Sequence, residues 1–392
     1  MTRTASLAPF GALSFSYFAA LGLFNPYSPL WFQSLGFSTL AIGAIASLQA
    51  WTRVISPYAW SWVGDHWEQG ARRTTLLRIA ASLCLVTAAG LLWAREYAAV
   101  SLVVFALYLA NGAVMPLNEA ALSQRLVTAD GLDLARYGRI RVWGSVGFIV
   151  SVSLFGVVLQ ATGIEALPLF TLAVFAGLLL ATWRLPAPQT GPVGAAPPVQ
   201  QGAWAVLRRP AVAWFFAGVF LTVLAHSSLY AFLSLYLVDL GYGKTAVGLL
   251  WAVSVVGEIA FFWTQGRWFA RIDALSWLML AAGVSVVRFA AMAAFGASAS
   301  VLIVAQCLHA VTFAAHHAAC IALVTHHFPG PLRGRGQALY STLGYGLSGV
   351  IGGVIGGAII QRHGFPAVFA AASAVSALSL WCCWRSRLAA RV

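Results

Sequence analysis

The feature that most constrains this chain is a series of long apolar stretches running through almost its whole length. A helix needs about 20 consecutive apolar residues to cross roughly 30 Å of hydrocarbon. Twelve stretches approach this requirement, and we expect each to form a membrane-spanning helix. They cover residues 8–34, 38–63, 74–94, 98–123, 139–162, 165–184, 210–238, 244–266, 274–296, 298–324, 336–361 and 365–385. The sequence therefore predicts an all-α membrane protein with little chain left for a soluble domain.

The composition supports the same class. Hydrophobic residues make up 60% of the chain and charged residues only 8%, whereas a soluble domain carries roughly 25% charged residues. The five cysteines lie in apolar stretches without metal-ligand spacing, and no nucleotide-binding loop or nucleophile constellation is present. We therefore predict no metal, no cofactor and no enzymatic activity.

The charge distribution predicts the orientation in the membrane. The formal net charge is +13. With the N-terminus placed inside, the inner loops and tails hold 18 Lys and Arg residues and the outer loops hold three. This bias predicts that both termini are cytoplasmic, in the inner membrane of a bacterium. Basic loops of this kind contact anionic lipid headgroups, so we predict the bilayer as a partner and no nucleic acid.

The twelve stretches fall into two sets of six. The proline-rich stretch 186–209 separates them and is predicted to be an extended cytoplasmic linker. Residues 35–43 resemble residues 240–248 at an offset of 205 in the sequence. We therefore predict two pseudo-symmetric six-helix bundles, 1–185 and 210–392, with the solute path at their interface.

Several ionisable residues lie inside the apolar stretches. Arg53, Glu119, Glu258 and Arg288 are well inside, and Arg141 lies one turn into the fifth stretch. Each charge at a helix centre costs roughly 2.5–3.5 kcal/mol on insertion scales, so charges of this kind are usually paired or functional. We expect them to face one another or an aqueous cavity between the bundles.

These residues suggest how a proton could be held and released. A carboxyl group in a poorly hydrated site holds a proton readily, and a removable arginine partner makes it a proton switch. Glu258 with Arg288 is one candidate pair. Glu119 with Arg141 or Arg53 is the other. The candidates for proton coupling are Glu258, Glu119, His309 and Arg288. The alternative is that these residues form static ion pairs between helices.

A second set of side chains is expected to contact the solute. An excess of arginine over acid favours an anion, and aromatic side chains favour a ring. The candidates are Arg141, Glu119, Arg53, His316, Tyr27, Tyr230 and Trp251. The aromatic members could instead serve in packing or in the interfacial belts of the membrane.

Several segments carry a resemblance to a known family. They are Tyr137–Gly147 (YGRIRVWGSVG), Asn118-Glu119-Ala120, Gly248–Glu258 (GLLWAVSVVGE), Leu308-His309-Ala310 and Phe328–Tyr340 (FPGPLRGRGQALY). On these residues the whole chain resembles a major facilitator superfamily transporter, most similar to the phenylpropionate permease-like branch related to lactose permease. The resemblance implies alternating access and proton-coupled uptake.

The resemblance also implies roles for individual residues. Arg141 matches the solute-binding arginine of the fifth helix. Glu258, Arg288 and His309 match the acid, arginine and histidine shared among helices eight, nine and ten. Thr312 stands where lactose permease has its proton-accepting glutamate, so proton duty would shift to Glu258 or Glu119.

The loop between the second and third stretches matches a further motif of the superfamily. Gly64 and Asp65 are followed by Arg72 and Arg73, with a longer spacing than is usual. The resemblance implies that this loop motif takes part in the conformational change.

The functional prediction is a proton symporter for a small organic solute, with an aromatic carboxylate such as phenylpropionate as first choice. The alternatives are a sugar or nucleoside proton symporter, a drug exporter, and a membrane sensor or scaffold that does not transport. The expected partners are a small-molecule substrate and protons. A monomer would suffice, because one chain holds both predicted bundles.

Overall fold

The computed structural model describes residues 7–66, 72–128, 131–185 and 202–391, and these are almost entirely helical. The α-helices are α1 (Ala8–Ser34), α2 (Thr39–His66), α3 (Arg72–Gly90), α4 (Tyr97–Asn111), α5 (Val114–Leu126), α6 (Leu134–Thr162), α7 (Leu167–Trp183), α8 (Ala203–Leu207), α9 (Pro210–Asp239), α10 (Lys244–Thr264), α11 (Ala274–Phe295), α12 (Ala299–Cys307), α13 (His316–His327), α14 (Arg333–Leu339), α15 (Ser348–His363) and α16 (Phe365–Ala389). The predicted helical class is confirmed.

Nine helices within the described residues are long and apolar enough to cross a membrane. They are Tyr97–Ser123, Arg136–Thr162, Ile164–Trp183, Pro210–Asp239, Lys244–Arg267, Ala274–Phe295, Ala299–His327, Arg333–His363 and Phe365–Ala389. Thr74–Gly90 is a shorter apolar helix. The chain is therefore a multi-pass membrane protein, while the count of twelve and the orientation of the termini stay predictions.

Two of the predicted continuous stretches contain π-helical turns. Ala310–Ala315 lies between α12 and α13, and Tyr340–Leu347 lies between α14 and α15. A π-helix closes i→i+5 hydrogen bonds and is frequent at functional sites. Hydrophobic length predicts that a helix crosses the membrane, but it carries no signal for such turns.

A small hairpin connects α5 to α6. β1 (Val127–Thr128) pairs antiparallel with β2 (Gly131–Leu132). Asp133 then caps α6, because its side-chain oxygen accepts a hydrogen bond of 3.0 Å from the backbone N–H of Arg136.

The chain packs into two compact units whose boundaries differ from the predicted bundles 1–185 and 210–392. Unit 1 comprises Met1–Phe37, Thr52–Val193 and Tyr242–Ala252; unit 2 comprises Ser38–Trp51, Gly194–Gly241 and Val253–Val392. The first half of α2 thus belongs to unit 2, and the first half of α10 belongs to unit 1.

Within unit 2, close backbone packing explains why the first half of α2 groups there. Gly43 lies against Gly353 of α15, and a Cβ on Gly43 would overlap the carbonyl oxygen of Gly353. The Thr39 hydroxyl donates a hydrogen bond of 3.1 Å to the carbonyl of Gly357. Small residues permit such close approach between membrane helices.

Within unit 1, the first half of α10 is held in a similar way. A Cβ on Gly248 would overlap the carbonyl oxygen of Val152 in α6. The Tyr27 hydroxyl donates to that same carbonyl over 2.7 Å and lies 3.4 Å from the carbonyl oxygen of Lys244. Tyr27 therefore joins α1, α6 and the start of α10.

The described part of the predicted linker, residues 202–209, contains a short helix rather than extended chain. α8 buries Val206 in the apolar core of unit 2, beside Phe215 and Phe328. The prediction of an extended chain is wrong for this segment, because Val206 gains an apolar contact by folding back. Residues 186–201 lie outside the described residues.

Candidate functional site

Arg288 of α11 is fully buried in unit 2 and is the centre of a polar network. Its Nη1 donates hydrogen bonds to Nδ1 of His309 over 3.0 Å and to Oγ1 of Thr312 over 2.8 Å. Its Nη2 donates to Oε1 of Gln306 over 3.4 Å. A guanidinium only donates hydrogen bonds, so Nδ1 of His309 must accept.

His309 connects Arg288 to Glu258 of α10. The His309 Nε2 atom lies 3.1 Å from Oε1 of Glu258. Because Nδ1 accepts from Arg288, the ring is neutral and carries its hydrogen on Nε2, which it donates to the carboxylate. A second proton on Nδ1 of His309 would place two donors against each other, so within the network of Arg288, His309 and Glu258 the carboxylate is the group that can accept an added proton.

This geometry refines the predicted pair of Glu258 and Arg288. The two residues belong to one network, as the sequence predicts, but His309 bridges them. A histidine on a third helix lies between the two charges and contacts one with each ring nitrogen.

Two further members of the network were not singled out from the sequence. The Ser254 hydroxyl donates to Oε1 of Gln306 over 2.5 Å, and both side chains are buried. Ser254 precedes Glu258 by four residues, and Gln306 precedes His309 by three. Each pair therefore shares one face of its helix. This helical spacing is the sequence feature that could have identified Ser254 and Gln306 as members of the network.

Aromatic side chains surround His309. The rings of His309 and Phe313 are almost parallel, with centroids 5.2 Å apart. The Tyr230 ring of α9 lies 6.1 Å from His309 and 6.4 Å from Phe313, and His226 lies 6.0 Å from His309. The structure thus brings Tyr230, a predicted solute contact, to the polar network.

Unit 1 contains a second charged cluster. The Arg141 Nε atom of α6 lies 3.3 Å from Oε1 of Glu119 on α5, and the guanidinium carbon lies 4.5 Å from the ring centroid of Phe18. The side chains of Arg141 and Glu119 are 36% and 38% exposed. The Tyr137 hydroxyl also lies close to Glu119. One arginine therefore contacts both a carboxylate and an aromatic face.

Arg53 of α2 belongs to the same region of unit 1. It lies within electrostatic range of the half-buried Tyr17 hydroxyl, as do Arg141 and Glu119. Its side chain is exposed.

Other predicted solute contacts have different surroundings. Tyr27 is fully buried and its hydroxyl is occupied by the Val152 carbonyl, which favours packing over solute contact. Trp251 is buried in α10 at 8% exposure. His316 is buried with its Nε2 atom 3.6 Å from the Cys320 sulfur.

The predicted loop motif lies at two helix ends. Gly64 and Asp65 are in the last turn of α2, and Arg72 and Arg73 are in the first turn of α3. Their side-chain placements and residues 67–71 lie outside what the structure describes.

The apolar helices and the charged clusters inside them define a polytopic membrane protein of the transporter class. The chain belongs to the MFS_1 like family, whose model matches residues 10–371. The predicted major facilitator class is thereby confirmed, and the protein is a transporter of this type.

Two relatives of known name cover most of the chain. An Escherichia coli (strain K12) protein named "Probable 3-phenylpropionic acid transporter" is 31% identical over 359 residues, which are 89% of this chain and 90% of the relative. The maltose permease of Geobacillus stearothermophilus is 28% identical over 367 residues, or 91% and 88% of the two chains.

Solved structures share the fold. The nucleoside transporter NupG is 19% identical to this chain. The superposition covers 99% of each of the two chains, with a TM-score of 0.74. A bacterial homologue of the human lysosomal transporter Spinster, in an inward-facing and unoccupied conformation, is 13% identical. The superposition covers 100% of this chain and 98% of the homologue, with a TM-score of 0.72.

Proposed function

We propose that this protein couples the entry of protons to the uptake of a small aromatic carboxylate, with 3-phenylpropionate as the first substrate to test. The observation that carries the proposal is the hydrogen-bonded chain from Arg288 through His309 to Glu258. In this proposal twelve helices cross the inner membrane of a bacterium, both termini are cytoplasmic and a monomer works by alternating access.

The network gives Glu258 the properties of a proton-coupling site. A charged carboxylate among apolar helices is costly unless it is stabilised, and here the N–H of His309 stabilises it. A proton on Glu258 removes the charge to which that N–H is bonded. Proton binding therefore changes the contact between α10 and the α12–α13 segment, which is the kind of change that can be linked to helix movement.

The cluster in unit 1 supports an aromatic anion as solute. Arg141 already binds a carboxylate, that of Glu119, and lies over an aromatic ring, that of Phe18. A solute carboxylate can take the place of Glu119 on the guanidinium, whose planar donors match carboxylate geometry. The relative named for 3-phenylpropionic acid supports this choice.

A sugar or nucleoside is the second candidate. The supporting observation is a pair of polar side chains in the same predicted stretch as Glu119. Asn111 and Asn118 are buried in α4 and α5, and Asn118 Nδ2 donates to the Ser14 hydroxyl over 3.2 Å. Carboxamides bind hydroxyl groups well. A maltose permease among the relatives and a nucleoside transporter among the similar folds agree with this candidate.

Transport into liposomes tests the proposal. Purified protein is reconstituted, an inward proton gradient is imposed, and uptake of labelled 3-phenylpropionate, maltose and uridine is followed. We expect gradient-dependent accumulation of 3-phenylpropionate that unlabelled benzoate-type acids inhibit. Accumulation of maltose or uridine alone would favour the second candidate. Gradient-dependent uptake of none of the three would contradict symport and favour an exporter or a non-transporting role.

A further inference from the structure

Three rings form a column along one side of the helical segment from His309 to His317 in unit 2. His309, Phe313 and His317 are spaced four residues apart. The His309 and Phe313 rings are 5.2 Å apart at 3°, and the Phe313 and His317 rings are 6.2 Å apart at 15°. Glu258 contacts His309 at one end of the column, and it lies within electrostatic range of His317 at the other end. One carboxylate thus lies near both histidines.

A second hydrogen-bonded chain begins at His317. Its Nδ1 lies 3.0 Å from the Tyr340 hydroxyl, which lies 3.2 Å from the Tyr345 hydroxyl. The two tyrosines are five residues apart, and the π-helical segment Tyr340–Leu347 brings them to one face through its i→i+5 hydrogen bonds. In a regular α-helix they would point about 140° apart. Tyr340 is buried, and His317 and Tyr345 are half-buried.

The two histidines differ in what their Nδ1 atoms contact. Nδ1 of His309 faces a guanidinium, which can only donate, so this ring is fixed as a donor through Nε2. Nδ1 of His317 faces a phenol hydroxyl, which can donate or accept. His317 can therefore hold its proton on either nitrogen, and it can hold two. His316, its neighbour in sequence, is directed to the Cys320 thiol.

We propose that His317 and Tyr340 relay the proton of Glu258 along the chain that ends at Tyr345, while His309 and Arg288 hold the carboxylate in position. This inference rests on the proposed proton coupling and names its route. Protonated Glu258 gives its proton to a bridging water, and that water gives one of its own protons to Nε2 of His317, so the O–H bond of the carboxyl group breaks as an N–H bond forms. The Nδ1 proton of His317 passes to the Tyr340 oxygen, the Tyr340 proton passes to Tyr345, and the Tyr345 proton passes to water. Each relay group ends with as many protons as it began with, and Glu258 is left as a carboxylate.

The test compares two reactions of the reconstituted full chain. Counterflow of 3-phenylpropionate exchanges solute without net proton movement, and net uptake under an imposed proton gradient requires proton transfer. We expect His317→Gln and Tyr340→Phe to keep counterflow within about twofold of the wild type and to lower net uptake at least tenfold. His326→Gln, at an exposed position in the last turn of α13, serves as the matched control and should leave both reactions unchanged.

The outcomes separate the relay from the proposed function. Net uptake within twofold of the wild type in both variants would overturn the relay and leave symport standing. Equal loss of counterflow and net uptake in both variants would also overturn it, because the residues would then act on binding or folding. Absence of proton-coupled uptake in the wild type would refute the proposed function itself, and the relay with it.

Discussion

Arg288 donates a hydrogen bond from Nη1 to Nδ1 of His309 over 3.0 Å, and this contact determines which nitrogen of the histidine carries hydrogen. The consequence reaches the next residue, since the hydrogen on Nε2 is then donated to Glu258. A buried arginine thus fixes the tautomer of a neutral imidazole and, through it, the hydrogen bond that a carboxylate on another helix accepts.

Replacing Arg288 should uncouple this network. Arg288→Gln removes the charge that keeps His309 neutral, and hydrogen bonds of a charged group contribute about 1.5–3 kcal/mol each. We expect proton-driven uptake to fall by about tenfold to hundredfold. Arg288→Lys should not restore it, because one ammonium cannot reproduce the planar fork that reaches His309, Thr312 and Gln306. The measurement is initial uptake in liposomes under a fixed proton gradient.

A matched control uses Arg95, whose guanidinium donates to carbonyl groups at the end of its own apolar segment. Arg95→Gln should transport within twofold of the wild type. If Arg288→Lys transports at the wild-type rate, the bridging geometry has no functional role.

Arg141 should determine the affinity for a carboxylate. Arg141→Ala removes the charge-assisted bonds, and we expect at least a tenfold rise in the Kd of 3-phenylpropionate. Glu119→Gln should lower the Kd several-fold, because it removes the internal carboxylate that competes for Arg141. Titration calorimetry on the purified protein measures both values.

Arg139 provides the comparison, since it is exposed two residues away on the same helix. Arg139→Ala should change the Kd less than twofold. Equal weakening by Arg139→Ala and Arg141→Ala would show that only the overall positive charge matters.

The contact between Gly43 and Gly353 should be sensitive to one added methyl group. Gly43→Ala places a Cβ on the carbonyl oxygen of Gly353, and overpacking of this kind costs about 1–3 kcal/mol. We expect a lower midpoint of thermal unfolding in detergent. Gly177→Ala, where the added Cβ meets nothing within 4 Å, should unfold at or above the wild-type temperature. Identical midpoints for the two variants would argue against a close helix contact at Gly43.

Tyr27 should act in packing rather than in solute binding. Tyr27→Phe removes a hydrogen bond to the Val152 carbonyl, a loss of about 0.5–1.5 kcal/mol. We expect a small drop in thermal stability and a Kd for 3-phenylpropionate within twofold of the wild type. A large rise in Kd with unchanged stability would instead place Tyr27 at the solute.

The helical class and many helix ends could be predicted from the sequence because the bilayer imposes a length on apolar segments. The predicted stretch 8–34 coincides with α1, and 210–238 differs from α9 by one residue. The division of α2 and of α10 between the two compact units could not be predicted in this way. Hydropathy describes one segment at a time, while the grouping of Ser38–Trp51 with unit 2 depends on contacts with glycines about 300 residues later.

The charged members of the candidate site could also be predicted from the sequence. Charges such as Glu119 and Arg141 are conspicuous in apolar helices because burying them is costly, and the structure does pair them. Neutral polar residues such as Gln306 carry no such cost, and only its three-residue spacing from His309 indicates it. The position of Tyr340 beside Tyr345 depends on the π-helical segment Tyr340–Leu347, which the sequence pattern does not encode.

Proton movement through Glu258 is the central claim, and one comparison tests it most directly. Liposomes containing a pH-sensitive dye receive external 3-phenylpropionate, and internal acidification is followed for the wild type and for Glu258→Gln, with solute counterflow measured in parallel. We predict that the wild type acidifies the lumen and that Glu258→Gln does not, although its counterflow stays within about twofold. Acidification by Glu258→Gln at the wild-type rate would contradict the assignment of Glu258 as the proton site.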